Sequence, residues 1–305
     1  MERINDVSII GMGPAGITAA IYLKRSNITP LCFEKDKVGG VVNKITEIEN
    51  YPAYLGDGKG LVELFNKQLQ HFDISIINKQ VISINQNDDG TFLIRTLGEN
   101  YLSKAVIVAS GIVQKPYKVK GSNKYSENGI SRCAECDGPF SKNKPVAVYS
   151  TDVNGIKEAT YLASLCSKVY FVNPNKEIAG DQKLVEEFKK LPNVEIINGA
   201  EIIDSDGTRK ISSITLSSGR KLEINALFLF IGASPVSEFL GYMDVTDKIG
   251  LIKVNDLMET EVKGLFAIGD AIKTPLRQVA VAVGDGAICA VSVRNYLNSL
   301  KKNEQ

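Results

Sequence analysis

The feature that most constrains this chain is a strand, a glycine turn and a helix in immediate succession near its start. Val7-Ser8-Ile9-Ile10 is a short apolar run, Gly11-Met12-Gly13-Pro14-Ala15-Gly16 follows, and Ile17-Thr18-Ala19-Ala20-Ile21-Tyr22-Leu23 begins a helix. A second strand reads Pro30-Leu31-Cys32-Phe33-Glu34. This order is a βαβ unit and opens a doubly wound parallel sheet, an α/β architecture. Glycines at positions 11, 13 and 16 let the backbone turn tightly, let a pyrophosphate approach it, and let the helix pack close to the strand. Glu34, at the end of the second strand, is placed to accept hydrogen bonds from an adenosine ribose, so the turn is expected to hold a dinucleotide-sized ligand.

Further strands are expected at Ile74–Ile77, in a hairpin of Val81–Asn85 and Thr91–Thr96 around Asp89-Gly90, and at Ala105–Ala109. A second strand–turn–helix–strand set follows at Val146–Tyr149, Gly155–Leu165 and Lys168–Val172, with strands at Val194–Ile197, Ile211–Leu216 and Ala226–Ile231. Two βαβ starts about 135 residues apart predict two related nucleotide-binding-type domains. The last part returns with Ala267-Ile268-Gly269-Asp270 and an apolar helix from about Gln278 to Leu297. Asp270 can serve there as a ligand for cofactor hydroxyls or as a helix cap. The tail Lys301–Gln305 is expected to fray.

With 305 residues, 44% hydrophobic and 23% charged, the composition is that of a globular protein with room for two domains. No run reaches the roughly 18 apolar residues needed to span a bilayer. The opening Met1–Asp6 leads into a strand rather than a signal peptide's apolar region, so the cytoplasm is the expected compartment. A formal net charge of +1 supplies no global field for nucleic acid or an anionic membrane, and neither is expected as a partner.

Of the five cysteines, Cys32, Cys166 and Cys289 lie in apolar runs and are expected in the core. Arg132-Cys133-Ala134-Glu135-Cys136-Asp137-Gly138 places the other two at a spacing that allows a small disulfide ring and exchange with another dithiol. A structural zinc site would need two more ligands, and the one histidine, His71, is expected on a helix surface, so no metal is expected. Asp137 can pass a proton as the thiolates form, or cap the next turn. A dithiol needs an intermediary to exchange electrons with a remote donor, and a flavin is the usual organic group for that conversion.

At this point the sequence resembles the low-molecular-weight thioredoxin reductases along nearly its whole length. The resemblance is carried by Gly11–Gly16, Gly39-Gly40, Glu49-Asn50-Tyr51-Pro52, Ala109-Ser110-Gly111, Cys133–Gly138, Ile231-Gly232-Ala233-Ser234-Pro235, Gly269-Asp270 and Arg277-Gln278-Val279-Ala280. It implies two Rossmann-like domains: an FAD domain of residues 1–114 and 240–305, split by an inserted module of residues 115–239 that bears the cysteine pair, in a homodimer. The FAD contacts it implies fall on Gly11, Gly13, Pro14, Ala15, Gly16, Glu34, Gly39, Gly40, Val41, Asn50, Ala109, Gly111, Gly269, Asp270, Arg277, Gln278 and Val279. Cys136 is implied to be the sulfur nearer the flavin, and Cys133 the thiol that meets the protein substrate.

The inserted module departs from the family pattern. Where the family has a glycine-rich turn for NADPH, this chain reads Tyr149-Ser150-Thr151-Asp152-Val153-Asn154-Gly155. Asp152 would add like-charge repulsion of about 1 kcal/mol or more against a pyrophosphate. The next strand ends in Val172–Gly180 without the family's His-Arg-Arg cluster for the 2′-phosphate, whose charge-assisted contacts are worth about 1.5–3 kcal/mol each. NADPH is therefore not expected. Intact FAD and cysteine motifs without that site resemble the ferredoxin-dependent flavin thioredoxin reductases, which implies ferredoxin as electron donor and thioredoxin as acceptor. Lys115, Lys118, Lys120, Lys124, Arg132, Lys142 and Lys144 form either a docking patch for an acidic partner or an ordinary solvated surface. A dithiol oxidase using oxygen, a divergent NADPH enzyme and a non-catalytic flavin redox sensor stay open as alternatives.

Overall fold

A computed structural model describes residues 4–303, apart from residues 115, 116, 118, 122, 123, 126, 127, 152 and 242. The chain forms two compact units, Met1–Gln114 with Ala233–Gln305, and Lys115–Gly232. The second boundary differs from the expected 239/240. Strand Ala233–Pro235 pairs antiparallel with Ile112–Gln114, and Phe239 and Leu240 lie in the first unit's core, so residues 233–239 belong with the ends of the chain.

The first unit is built on a seven-stranded sheet. Its order is Ile76–Asn78, Leu31–Glu34, Ile4–Ile10, Asn100–Val108, Phe92–Thr96 and Val81–Gln86, and Leu265–Ala267 also pairs with Asn100–Val108. The strands around Ile4–Ile10 are parallel, and the predicted hairpin adds an antiparallel margin. Helix α1 (Pro14–Arg25) starts with proline at its first position, where the missing N–H costs no helical bond. Helix α2 (Gly58–His71) is capped by Asp57, whose carboxylate accepts from the Gly60 N–H at 2.8 Å, and it buries Leu61, Val62, Phe65 and Leu69. His71 ends that helix, exposed. The C-terminal helix runs Val279–Asn303, so Lys301 to Asn303 continue it rather than fraying; Glu304 and Gln305 lie outside the described residues.

The second unit carries a five-stranded, wholly parallel sheet in the order Ile130–Ser131, Ala226–Phe230, Pro145–Ser150, Lys168–Asn173, Val194–Asn198. Helices α3 (Ala134–Asp137), α4 (Val153–Leu165) and α5 (Gln182–Lys189) belong to it, with a small antiparallel sheet of Ile202–Gly207, Ile211–Leu216 and Lys221–Glu223. Its buried strands read as unbroken apolar runs, Val146-Ala147-Val148 and Leu227-Phe228-Leu229, as a parallel sheet covered on both faces requires. Among the described residues, no helix is long and apolar enough to cross a membrane.

A close backbone approach in the first unit joins α1 to the C-terminal helix. A Cβ at Gly286 would lie 2.4 Å from the Ala15 carbonyl oxygen and 2.9 Å from the Thr18 Cβ. Gly286→Ala therefore forces the two helices apart. We expect it to cost about 1–3 kcal/mol by overpacking, seen as a lowered thermal unfolding midpoint.

Candidate active site

Every residue that the sequence assigns to a dinucleotide lies in the first unit, and direct contacts join several of them. Gly11, at φ +101°, holds its Cα where a Cβ would lie 2.4 Å from the Ala109 carbonyl oxygen, and a Cβ at Gly16 would lie 2.0 Å from the Gly11 carbonyl oxygen. Gly39 donates its N–H to the Met12 carbonyl at 2.7 Å. Gly40 faces Gly13, with a Cβ there 3.8 Å from the Gly13 Cα, while nothing stands within 4 Å of a Cβ at Gly13 or Gly111. Gly269, at φ +65°, abuts Ala15. The Asn50 amide donates to the Gln278 side-chain oxygen at 3.1 Å, and the hairpin bearing Asn50 lines a concavity of about 550 Å³. Pro14 begins α1, Val41 is exposed beside Gly40, and Val279 begins the C-terminal helix.

This arrangement fits FAD. The start of α1 carries no acidic residue in its first turn and no side-chain cap, and bare glycine backbone stands on both sides of it at Gly13 and Gly40. A helix N-terminus left open in this way favours a pyrophosphate. Glu34 is buried at the end of its strand and accepts from the Met12 N–H and the Asp36 N–H, both at 2.9 Å. Each carboxylate oxygen retains a further lone pair for a ribose hydroxyl. Burial pushes the Asp270 carboxyl up, Arg277 pulls it down, and Asp285 pushes it up again. Asp285, which the sequence motifs left out, accepts from the Gly269 N–H at 3.2 Å and so braces that turn.

The redox pair lies in the second unit as a Cys133–Cys136 disulfide, with Cα atoms 5.3 Å apart. Cys133 caps α3: its sulfur accepts from the Cys136 N–H at 3.1 Å. Ser131 braces the approach, its hydroxyl oxygen accepting from the Cys133 N–H at 3.1 Å. Burial pushes the Asp137 carboxyl above the usual carboxylate range, while the Ser131 hydroxyl and Lys210 pull it down. On the α4 side, Glu158 accepts from the Ala134 backbone, and burial and then Glu135 push its carboxyl up. Ser131, Glu158 and Lys210 carry no motif signal, because their parts in this cluster come from packing. The remaining cysteines are buried as expected, and burial raises Cys32 to about 12 and Cys166 to about 11, far from reactive thiolates. Among the described residues, no cluster of metal-ligating side chains occurs.

The second glycine turn has the frame of the first with other contents. Gly155 keeps the close contact of helix and strand, but the Ser150 side chain fills the space: a Cβ at Gly155 would lie 2.1 Å from the Ser150 Oγ. The first N–H of α4, on Val153, donates to the Ala179 carbonyl at 3.0 Å. The Val153 side chain packs on Gly180, where a Cβ would come within 2.6 Å of both its methyl groups. Asn173, in the strand position matching Glu34, is fully buried; its amide donates to the Asn198 side-chain oxygen at 3.1 Å and its own side-chain oxygen accepts from the Asn175 N–H at 3.1 Å. Asp152 lies outside the described residues, as do Lys115 and Lys118 of the lysine set. Lys120 is paired with Asp204 at 3.4 Å, and Lys142 and Lys144 are exposed.

A dinucleotide cradle in one α/β unit and a dithiol centre in another define a two-domain disulfide oxidoreductase, and the model of the pyridine nucleotide-disulphide oxidoreductase family matches residues 5–286. The chain is 35% identical to a thioredoxin reductase of Aquifex aeolicus over 99% of its own length and 96% of the relative's. It is 33% identical to that of Bacillus subtilis, covering 99% and 97% of the two chains. The crystal structure of thioredoxin reductase from Streptococcus pyogenes superposes with a TM-score of 0.93 at 32% identity, covering 98% of this chain and 100% of that one. The chain belongs to the low-molecular-weight thioredoxin reductase family. FAD is the cofactor expected for that family.

The position of Asp137 has a measurable consequence. A carboxyl whose folded-state pKa is raised contributes stability that is full below the unfolded value of about 3.9 and is lost as pH rises through the folded value. Asparagine carries no charge to bury at any pH. We expect Asp137→Asn to raise the thermal midpoint relative to the parent at about pH 8, with the difference shrinking toward zero at about pH 4.

Proposed function

We propose that this protein reduces thioredoxin through FAD and the Cys133–Cys136 disulfide, with reduced ferredoxin rather than NADPH as its electron source. The carrying observation is the second glycine turn, where the Ala179 carbonyl already holds the first N–H of α4 and the buried Ser150 side chain takes the space beside Gly155 that bare backbone holds at the first turn. The exposed cations Lys142 and Lys144 support docking of an acidic protein. Apolar side chains exposed on α1 and the C-terminal helix, Tyr22, Ile288 and Val291, support a homodimer.

Bound FAD supplies the conversion of single electrons into the pair that a disulfide accepts. Gly11, Gly13, Pro14, Ala15 and Gly16 would hold its pyrophosphate, with Gly39, Gly40 and Val41 on the facing turn. Glu34 would hold its ribose, and Asn50, Ala109, Gly111, Gly269, Asp270, Arg277, Gln278 and Val279 the remainder. Two electrons and two protons turn Cys133–Cys136 into a dithiol. The Cys133 thiolate then attacks the thioredoxin disulfide, forming a mixed disulfide and releasing one thioredoxin thiolate, which takes a proton. Cys136 attacks the mixed disulfide, restores the Cys133–Cys136 bond and releases the second thiolate, which is protonated in turn. Asp137, its carboxyl raised by burial, is the group that holds and returns a proton beside the cysteines.

One observation favours a second reading. The family model that matches residues 5–286 describes enzymes of pyridine nucleotides, so a divergent NADPH site is the direct competitor. Losing two charge-assisted phosphate contacts at about 1.5 kcal/mol each weakens NADPH on the order of 100-fold. Anaerobic stopped-flow mixing separates the two: reduced ferredoxin is expected to bleach the flavin absorbance at turnover rates and NADPH on the order of 100-fold more slowly or not at all. Flavin reduction by NADPH at turnover rates would overturn the ferredoxin assignment. Cys136→Ser should leave reduction of the flavin by ferredoxin intact and abolish reduction of thioredoxin.

A further inference from the structure

Ser131 is the last strand residue before the redox pair, and its side chain bonds the backbone of a cysteine. Strand Ile130–Ser131 lies parallel to Ala226–Phe230, with Ile130 opposite Leu227 and Ser131 opposite the fully buried Phe228. The Leu227 N–H donates to the Gly129 carbonyl at 2.8 Å, which fixes the chain just ahead of that strand. Ser131 is itself only 7% exposed. Its hydroxyl oxygen accepts from the Cys133 N–H at 3.1 Å, and the hydroxyl has the Cys133 carbonyl oxygen as an acceptor at 3.2 Å. Both polar backbone groups of Cys133 are therefore tied to a side chain that is anchored in the sheet.

The tie fixes where the sulfur stands. Cys133 is held extended, at φ −141° and ψ 108°, and in that conformation its sulfur accepts from the Cys136 N–H at 3.1 Å. While the disulfide is closed, the bond between the sulfurs restrains Cys133 as well. In the dithiol that restraint is gone, and the Ser131 contacts still hold the Cys133 backbone in the conformation of the closed ring. Backbone already fixed has less entropy left to lose when a ring closes. Such coupling is reciprocal: as far as the closed disulfide holds Cys133 against Ser131, Ser131 holds the disulfide closed.

We infer that Ser131 is a positioning residue of the redox pair, its hydroxyl holding Cys133 in the conformation from which the ring with Cys136 closes and so lowering the reduction potential of the disulfide. The inference rests on Cys133 and Cys136 being the centre that cycles between disulfide and dithiol, and it is independent of the electron donor and of Asp137.

Anaerobic equilibration of the FAD-loaded protein in mixtures of reduced and oxidised dithiothreitol tests it. One dithiothreitol gives up two electrons and two protons as it closes its cyclic disulfide, and the Cys133–Cys136 bond takes them to become two thiols. Acid quench and thiol alkylation read the cysteines, and absorbance reads the flavin in the same mixtures. Ser131→Ala removes both contacts and should shift the equilibrium on the order of fivefold toward the dithiol, the net effect of about one hydrogen bond. At about 30 mV per tenfold for two electrons, that is a rise of about 20 mV in the midpoint potential of the pair. The midpoint of the flavin should not move. Ser131→Thr keeps the hydroxyl and should return the pair toward the parent value. Thermal unfolding separates positioning from general stabilisation, since Ser131→Ala should lower the midpoint more in the disulfide form than in the dithiol form. A cysteine equilibrium that Ser131→Ala leaves unmoved, or equal losses of thermal stability in the two forms, overturns the inference. Cysteines that stay a disulfide at every dithiothreitol ratio overturn the proposed redox centre and the inference with it.

Discussion

The first unit depends on the return of the chain after its long insertion. Leu265, Phe266 and Ala267 pair in parallel with Val106, Ile107 and Val108, and Gly286 then lets the C-terminal helix settle against the Ala15 carbonyl. That contact is steric, since any side chain at Gly286 would meet backbone. It brings Gly269 against Ala15 and so places Asp270 and Asp285 beside the first glycine turn. Without it the cradle would be half a site, with a turn for a pyrophosphate and nothing at its other end.

The two glycine turns show which part of such a motif belongs to the fold and which to the ligand. The glycine that packs helix to strand is present in both units, as Gly16 and as Gly155, because close packing is needed whatever is bound. The contacts around it have diverged. At the first turn Gly13 leaves open space beside a helix start with no side-chain cap; at the second, the buried Ser150 side chain fills the gap at Gly155 and the Ala179 carbonyl bonds the first N–H of α4. Val153 packs against the core of Val146, Val148, Phe171 and Phe228, so part of that change adds apolar contact to the sheet's cover.

The redox centre carries an opposite tension. Asp137 sits where burial disfavours its charge, a cost to the folded unit at neutral pH that a neutral side chain would avoid. Such costs concentrate where protons are moved, and here two local groups, Ser131 and Lys210, offset part of it. The disulfide itself is framed by short-range contacts: Cys133 caps its own turn and Ser131 ties the strand end to it.

Much was legible in the chain alone. Strand–turn–helix order, the parallel sheets, the cysteine pair and the burial of Cys32, Cys166 and Cys289 follow from local patterns of glycine and apolar residues, which act over a few residues and can be read in order. Helices α2 and α5 went unpredicted as elements, although Asp57 and Asp181 stand ahead of their apolar positions as caps, because the glycine-rich start of α2 and the short run of α5 mask the signal. What the sequence determined by itself was the class of fold and the chemistry of its two centres. The tertiary structure decided the domain boundary at 232/233, the bond from the Val153 N–H to the Ala179 carbonyl at the second glycine turn and the meeting of Glu158 with the Ala134 backbone, because each joins residues apart in the chain whose meeting depends on packing and leaves no periodic trace.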